Sequence, residues 1–211
     1  MTEIDDFAND KEIQRIRKER AAFEKMIEES KEIVRQKFQM KEHSESNLEE
    51  FWMMKSLANS TVCETIKSEN QFFSLEVSMV EYYSQYRTPR SGNSGDDHYF
   101  FGLLTTKKHY PATLVYPEGI KEKIADIFTK AEIDSKENKK FSRKFYVLTE
   151  EKERLKQAFS FLSLDELARF GQMEFELKEN LCLFRNSKKP VSHKEAIEFC
   201  KVAEKMIAVF G

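Results

Sequence analysis

Phe73-Ser74-Leu75-Glu76-Val77-Ser78-Met79 is the stretch that sets the fold class. Its apolar residues fall at every second position, and residues two apart on an extended chain share a face, so it reads as a half-buried strand. The pattern runs on through Tyr82, Tyr83 and Tyr86. Residues 88–97, Thr-Pro-Arg-Ser-Gly-Asn-Ser-Gly-Asp-Asp, are dense in turn formers and predict a hairpin tip. Residues 98–105 are then the return strand. A third strand over 112–116 follows the connection Lys107-Lys108-His109-Tyr110-Pro111.

Upstream the period is helical. Residues 10–41 contain no Gly or Pro, and Ile13, Ile16, Phe23, Met26, Ile27, Ile33, Val34 and Phe38 recur at spacings of three, four and seven. That predicts one long charged helix with a narrow apolar stripe. As a heptad the seam is imperfect: Arg20 interrupts the line Ile13, Ile27, Val34, and Ser30 interrupts the line Ile16, Phe23. Residues 43–47 read as a kink, and 48–67 as helix again, with a break at Asn59-Ser60-Thr61.

Downstream, 118–130 predicts an amphipathic helix through Ile120, Ile124, Ile127 and Phe128, and 131–134 an edge strand. Residues 141–148 read as a strand with Phe141, Phe145 and Val147 inward, and Thr149 caps a helix over 150–161. Ser163-Leu164-Asp165-Glu166 and Ser192-His193-Lys194-Glu195 both fit the capping box. Between them, Met173, Phe175 and Leu177 alternate, and 181–185 returns after Lys178-Glu179-Asn180, a hairpin signature. The terminal helix buries Ala196, Ile197, Phe199, Cys200, Ala203 and Ile207. The expected fold is α+β: a mostly antiparallel sheet with helices packed on one face, preceded by a long amphipathic helix. Residues 1–47 form that helix with its acidic tail, and 48–211 the globular domain.

Composition narrows the chemistry. Lys plus Arg is 35 against 37 for Asp plus Glu, so no global charge draws the chain to nucleic acid or anionic lipid. The first ten residues are acidic, without the basic start and apolar core of a secretory signal, and the apolar runs are too short to cross a bilayer. Cys63, Cys182 and Cys200 are an odd number at wide spacing, with no CxxC or Cys/His cluster; neither a disulfide framework nor a structural zinc site is expected. A reducing compartment fits, so the expected location is cytoplasmic, or peripheral to a membrane. No P-loop, GxGxxG, HExxH or EF-hand loop is present, so no cofactor or metal and no catalytic residue is assigned. Cys63 has no histidine beside it in the linear pattern.

The order Ile133-Asp134-Ser135, Phe141-Ser142-Arg143-Lys144-Phe145-Tyr146-Val147, a charged helix, the pair 173–177 and 181–185, and a helix through 203–207 adds a resemblance. Residues 70–210 resemble uncharacterised bacterial domains of unknown function, often membrane-associated, in which a motif like Phe-Ser-x-x-Phe-Tyr-Val opens a strand ahead of a helix and hairpin. This chain lacks the transmembrane pair expected between the first helix and the first strand. The resemblance implies no catalytic residues.

Three functions follow as expectations. The first is a non-catalytic interaction or scaffold domain, docking on a protein partner or oligomerising through Ile16, Phe23, Ile27 and Val34. The second is a peripheral binder of an anionic ligand, membrane surface before nucleic acid, through Arg87, Arg90, Lys107, Lys108 and Lys140, with Tyr82, Tyr83, Tyr86 and Tyr99 beside them. The third is a hydrolase using His98 with Asp96 or Asp97, although neighbours on a strand point to opposite faces and converge poorly.

Overall fold

A computed structural model describes residues 3–44, 46–57, 59–82, 97–117, 138–159, 162 and 164–211, with side chains from residue 11 on. The long helix α1 covers Glu3–Phe38. It ends in a Schellman turn: Gln39 takes φ 52°, and the amide of Met40 donates to the carbonyl of Arg35 at 3.0 Å. Strand β1 (Lys41–His43), a 3-10 turn (Leu48–Glu50) and the one-turn helix α2 (Trp52–Lys55) follow.

The sheet then builds outward from the alternating stretch. Strands β2 (Ser60–Glu69) and β3 (Ser74–Tyr82) are antiparallel and joined by a tight turn, where Asn70 Oδ1 accepts from the amides of Phe72 and Phe73. The helix expected over 60–67 is therefore a strand. Thr61, Val62, Thr65 and Ile66 are β-branched and suit a pleated surface. Asn59, at φ 65°, starts the strand where a break was anticipated. Leu75, Val77 and Met79 are buried as the alternation predicts. Ser78 and Val80 on the opposite face are buried too, with the Ser78 hydroxyl 2.8 Å from that of Thr65.

Strand β4 runs unbroken over Asp97–Pro117, through the connection anticipated at 107–111. One edge pairs first with β3, from Tyr82–Asp97 to Leu75–Leu104, and later with β5 (Phe145–Thr149). The other edge pairs with β6 (Glu174–Arg185) from Gly102–Phe184 to Val115–Phe175. Gly102 is needed there: a Cβ would lie 2.6 Å from Phe184 Cε1, inside a ring that stacks on Phe199. Together the six strands form one antiparallel sheet.

The hairpin expected over 173–185 is instead a single strand with a corner. Glu174 and Arg185 are its first and last residues, and a straight strand of that length would part them by about 36 Å. Yet Arg185 donates from Nε and Nη2 to Glu174 Oε2, at 2.8 and 2.5 Å. The chain turns at Glu179, φ 55°, within the anticipated turn, but both arms pair with β4. β4 bends with it: between the Thr105–Leu181 and Tyr110–Glu179 pairs it spends residues 106–109 where β6 spends Asn180 alone.

Short elements close the ends. Phe141 lies in a one-turn helix α3 (Lys139–Ser142) ahead of β5, not in the strand. Asp165 caps that helix by accepting from the amides of Lys140 and Phe141, while Asn138 Oδ1 accepts from the amide of Leu164. Helix α4 spans Lys152–Phe159, with Thr149 Oγ1 accepting from the amide of Glu151, and a 3-10 helix covers Leu164–Arg169. Helix α5 (His193–Phe210) begins at Ser192, whose hydroxyl accepts from the amide of Glu195. Ala196, Phe199, Cys200 and Ala203 are buried as expected, but Ile197 is 47% exposed because the outer face of α5 meets solvent.

Two apolar clusters flank the sheet. The larger joins Val34 and Phe38 of α1 to Leu104, Phe184 and the buried faces of α4 and α5. The smaller, on the opposite face, packs Leu48, Phe51, Met53 and Met54 on Val80, Phe101, Leu103 and Leu183. The expected helices thus cover one face, and the segment around α2 covers the other. The corner pair itself is nearly enclosed, its side chains 9% and 8% exposed. Removing one partner leaves a buried charge uncompensated, so Arg185→Met should cost about 3–5 kcal/mol in urea unfolding. The double change Arg185→Met with Glu174→Leu should recover much of that loss; a double variant at the sum of the two single losses would show that the pair does not act as a unit.

Candidate functional site

The apolar stripe of α1 divides at the edge of the domain. Ile27 and Val34 are 7% and 0% exposed, seated on the sheet and α5, so they are spent on the fold itself. Ser30, which interrupts the heptad, is buried beside them with its hydroxyl donating to the carbonyl of Met26 at 2.7 Å. Glu64 of β2 fixes the seat by pairing with Lys31 at 2.6 Å and Arg35 at 3.2 Å. Phe23 is half-buried against the ring of His98, centroids 5.9 Å apart. Beyond it residues 11–22 are all exposed, and Ile13 and Ile16 stand 45% and 50% open. The face that anchors the inner half therefore continues past the domain uncovered.

On the opposite side of the sheet the bent ribbon encloses a cavity of about 320 Å³. Trp52, Tyr82, Tyr99 and Tyr116 line its walls, and Glu174, Arg185 and Lys188 supply its charge. Lys188 lies 3.4 Å from Glu174, and the guanidinium of Arg185 sits 5.5 Å from the ring centre of Phe101. Two cations against one carboxylate, between flat apolar walls, suit a small molecule with one anionic group. From the sequence, Tyr82 and Tyr99 are expected beside other cations, Arg87, Arg90, Lys107, Lys108 and Lys140. Arg185 and Lys188 belong to the cavity because β6 turns its corner there, a feature without a linear signature.

Lys107 and Lys108 are exposed on the extra stretch of β4. Lys140 is exposed beside a separate hollow lined by Arg143, Lys144 and Arg169 with Asp165 and Glu166. Arg87, Arg90, Asp96, Tyr83 and Tyr86, with the expected elements over 118–134, lie outside the described residues.

A third grouping escapes the linear sequence. Between the pairs Val62–Val80 and Glu64–Met79, β2 carries Cys63 as an extra residue. At this bulge Cys63 lies on the α1 side, its Sγ 3.9 Å from Glu81 Oε2. Glu81 faces His98 across the β3–β4 pair, with Nε2 3.8 Å from Oε1. A histidine does therefore stand near Cys63.

Among solved structures, the chain is similar to the crystal structure of the mycobacterial trehalose monomycolate transport factor A, TtfA. The TM-score is 0.53 at 10% identity, over 85% of this chain and 90% of that one. The likeness is one of fold. No family model and no curated protein matches the sequence. Among the described residues, no helix is long and apolar enough to cross a membrane.

The cavity wall is held by Glu176, whose carboxylate accepts from the amides of Trp52 at 3.0 Å and Met53 at 2.8 Å. Burial pushes its pKa above the usual 4.5, against the pull of those two amides. The folded state thus holds this proton more tightly than the unfolded chain. Its contribution is fully present below about pH 4.5 and is lost as pH rises through the raised value. Glu176→Gln does not titrate, so from pH 4.5 to pH 7.5 the wild type should lose stability relative to the variant in urea unfolding. A difference that does not move with pH would contradict this.

Proposed function

We propose that this chain is a non-catalytic interaction domain that pairs with a second copy of itself through the outer half of α1. The observation that carries the reading is the run of the stripe beyond the domain: Ile13 and Ile16 continue the face that is buried at Ile27 and Val34. Charge supports a second copy as the occupant. The sequence places Glu3, Asp5, Asp6 and Asp10 before these isoleucines and Arg15, Arg17, Lys18 and Arg20 around and after them. Two such helices laid antiparallel set the acidic turns of one along the basic turns of the other, a self-complementary interface of two-fold symmetry. The likeness in fold to a transport factor, and the resemblance of residues 70–210 to membrane-associated domains, fit a part played beside a membrane assembly rather than in chemistry.

Light scattering on the full chain tests this. The wild type should give the mass of two 25.0 kDa chains, and Ile13→Asp with Ile16→Asp the mass of one. Because both positions lie outside the core, circular dichroism and the unfolding midpoint should stay unchanged. A wild type that remains a single chain at high micromolar concentration would overturn the reading.

A further inference from the structure

We propose that Cys63, Glu81 and His98 form a zinc-class cation site on the α1 side of the sheet. Three neighbouring strands each supply one donor, and the thiol sulfur, a carboxylate oxygen and an imidazole nitrogen all lie within 4.8 Å of one another. Tetrahedral zinc, with bonds of about 2.0–2.3 Å, needs donors roughly 3.3–3.6 Å apart. His98 Nε2 lies 3.8 Å from Glu81 Oε1 and Cys63 Sγ 3.9 Å from Glu81 Oε2, and small rotations of these exposed and half-buried side chains bring one carboxylate oxygen into that range of both. The donor set chooses the metal: thiolate with imidazole and one carboxylate favours zinc, whereas magnesium and calcium prefer oxygen alone. Three protein ligands leave a fourth position for water or for a group from outside.

The backbone contributes a second, independent observation. Cys63 is the extra, unpaired residue of the β2 bulge, between the Val62–Val80 and Glu64–Met79 pairs, and its sulfur lies on the Glu81 side. Phe23 covers the imidazole ring and restricts its orientation. On binding, the Cys63 S–H bond breaks, the sulfur–metal bond forms and the proton passes to solvent. The site lies where α1 leaves the domain, but it does not depend on what the outer helix binds.

Cobalt(II) is the probe, added to full chain stripped with chelator. One ion per chain should bind, giving a thiolate-to-cobalt charge-transfer band that zinc abolishes by displacement. Cys63→Ser should remove the band, and His98→Ala and Glu81→Gln should each weaken binding by at least about tenfold, since even outer partners of metal ligands are worth that much. Circular dichroism of each variant separates loss of the site from loss of the fold. No charge-transfer band in the wild type, or an undiminished band in folded Cys63→Ser, would overturn the proposal.

Discussion

The contact in which two guanidinium nitrogens of Arg185 donate to one carboxylate oxygen of Glu174 is the constraint on which the rest of the structure depends. It ties the two ends of one strand together, which is geometrically open only to a strand with a corner. Because β6 pairs with β4 on both sides of the corner, β4 must bend as well. The bend lets β4 present one edge to β3 and then to β5, and it brings Tyr82, Tyr99 and Tyr116 around one cavity. It also places a guanidinium and a carboxylate where their desolvation is offset by each other and by the ring of Phe101. Glu176 then holds the α2 segment over the open face through two backbone amides.

The outer face of the same sheet seats α1. A helix of 36 residues is about 54 Å long, more than the seat can cover. The inner half is held by apolar burial at Ile27, Val34 and Phe38 and by the Glu64 pairs. The outer half is held as helix by exposed ion pairs such as Arg15–Glu12 and Arg20–Glu24, each worth a few tenths of a kcal/mol at about three or four residues' spacing. Such pairs favour helix but do not explain two bare isoleucines on the seated face. Phe23 marks the change from one regime to the other, and the Cys63, Glu81 and His98 donors sit beneath it.

How much of this was legible in the sequence depended on whether the signal was local. The alternation at Leu75, Val77 and Met79, the cap at Ser192 and the stripe of α1 are short-range patterns, and the antiparallel α+β fold followed from them. The segment 60–67 misled because Val62 and Ile66 sit four apart, as on a helix, while its β-branched content argued for a strand that only pairing with β3 settles. The two connections expected at 107–111 and 178–180 were genuine turn signals, but they mark a corner in a paired ribbon rather than the ends of strands. The cavity cations and the Cys63 grouping were illegible for one reason: their members come together through strand register and a bulge, neither of which leaves a spacing in the chain.

The stripe of α1 shows the same limit in reverse. Ile16, Phe23, Ile27 and Val34 share one face, as the sequence indicates, yet only the edge of the domain decides which of them stay open. Paired spin labels at Gln14→Cys, in a chain carrying Cys63→Ser, measure what covers the open part. Antiparallel helices pack about 8–10 Å apart, so two labelled chains crossing near Ile13 and Ile16 should give a narrow intermolecular distance of about 20 Å. A signal with no discrete intermolecular distance, in a chain that is fully folded and concentrated, would contradict a second copy on this face.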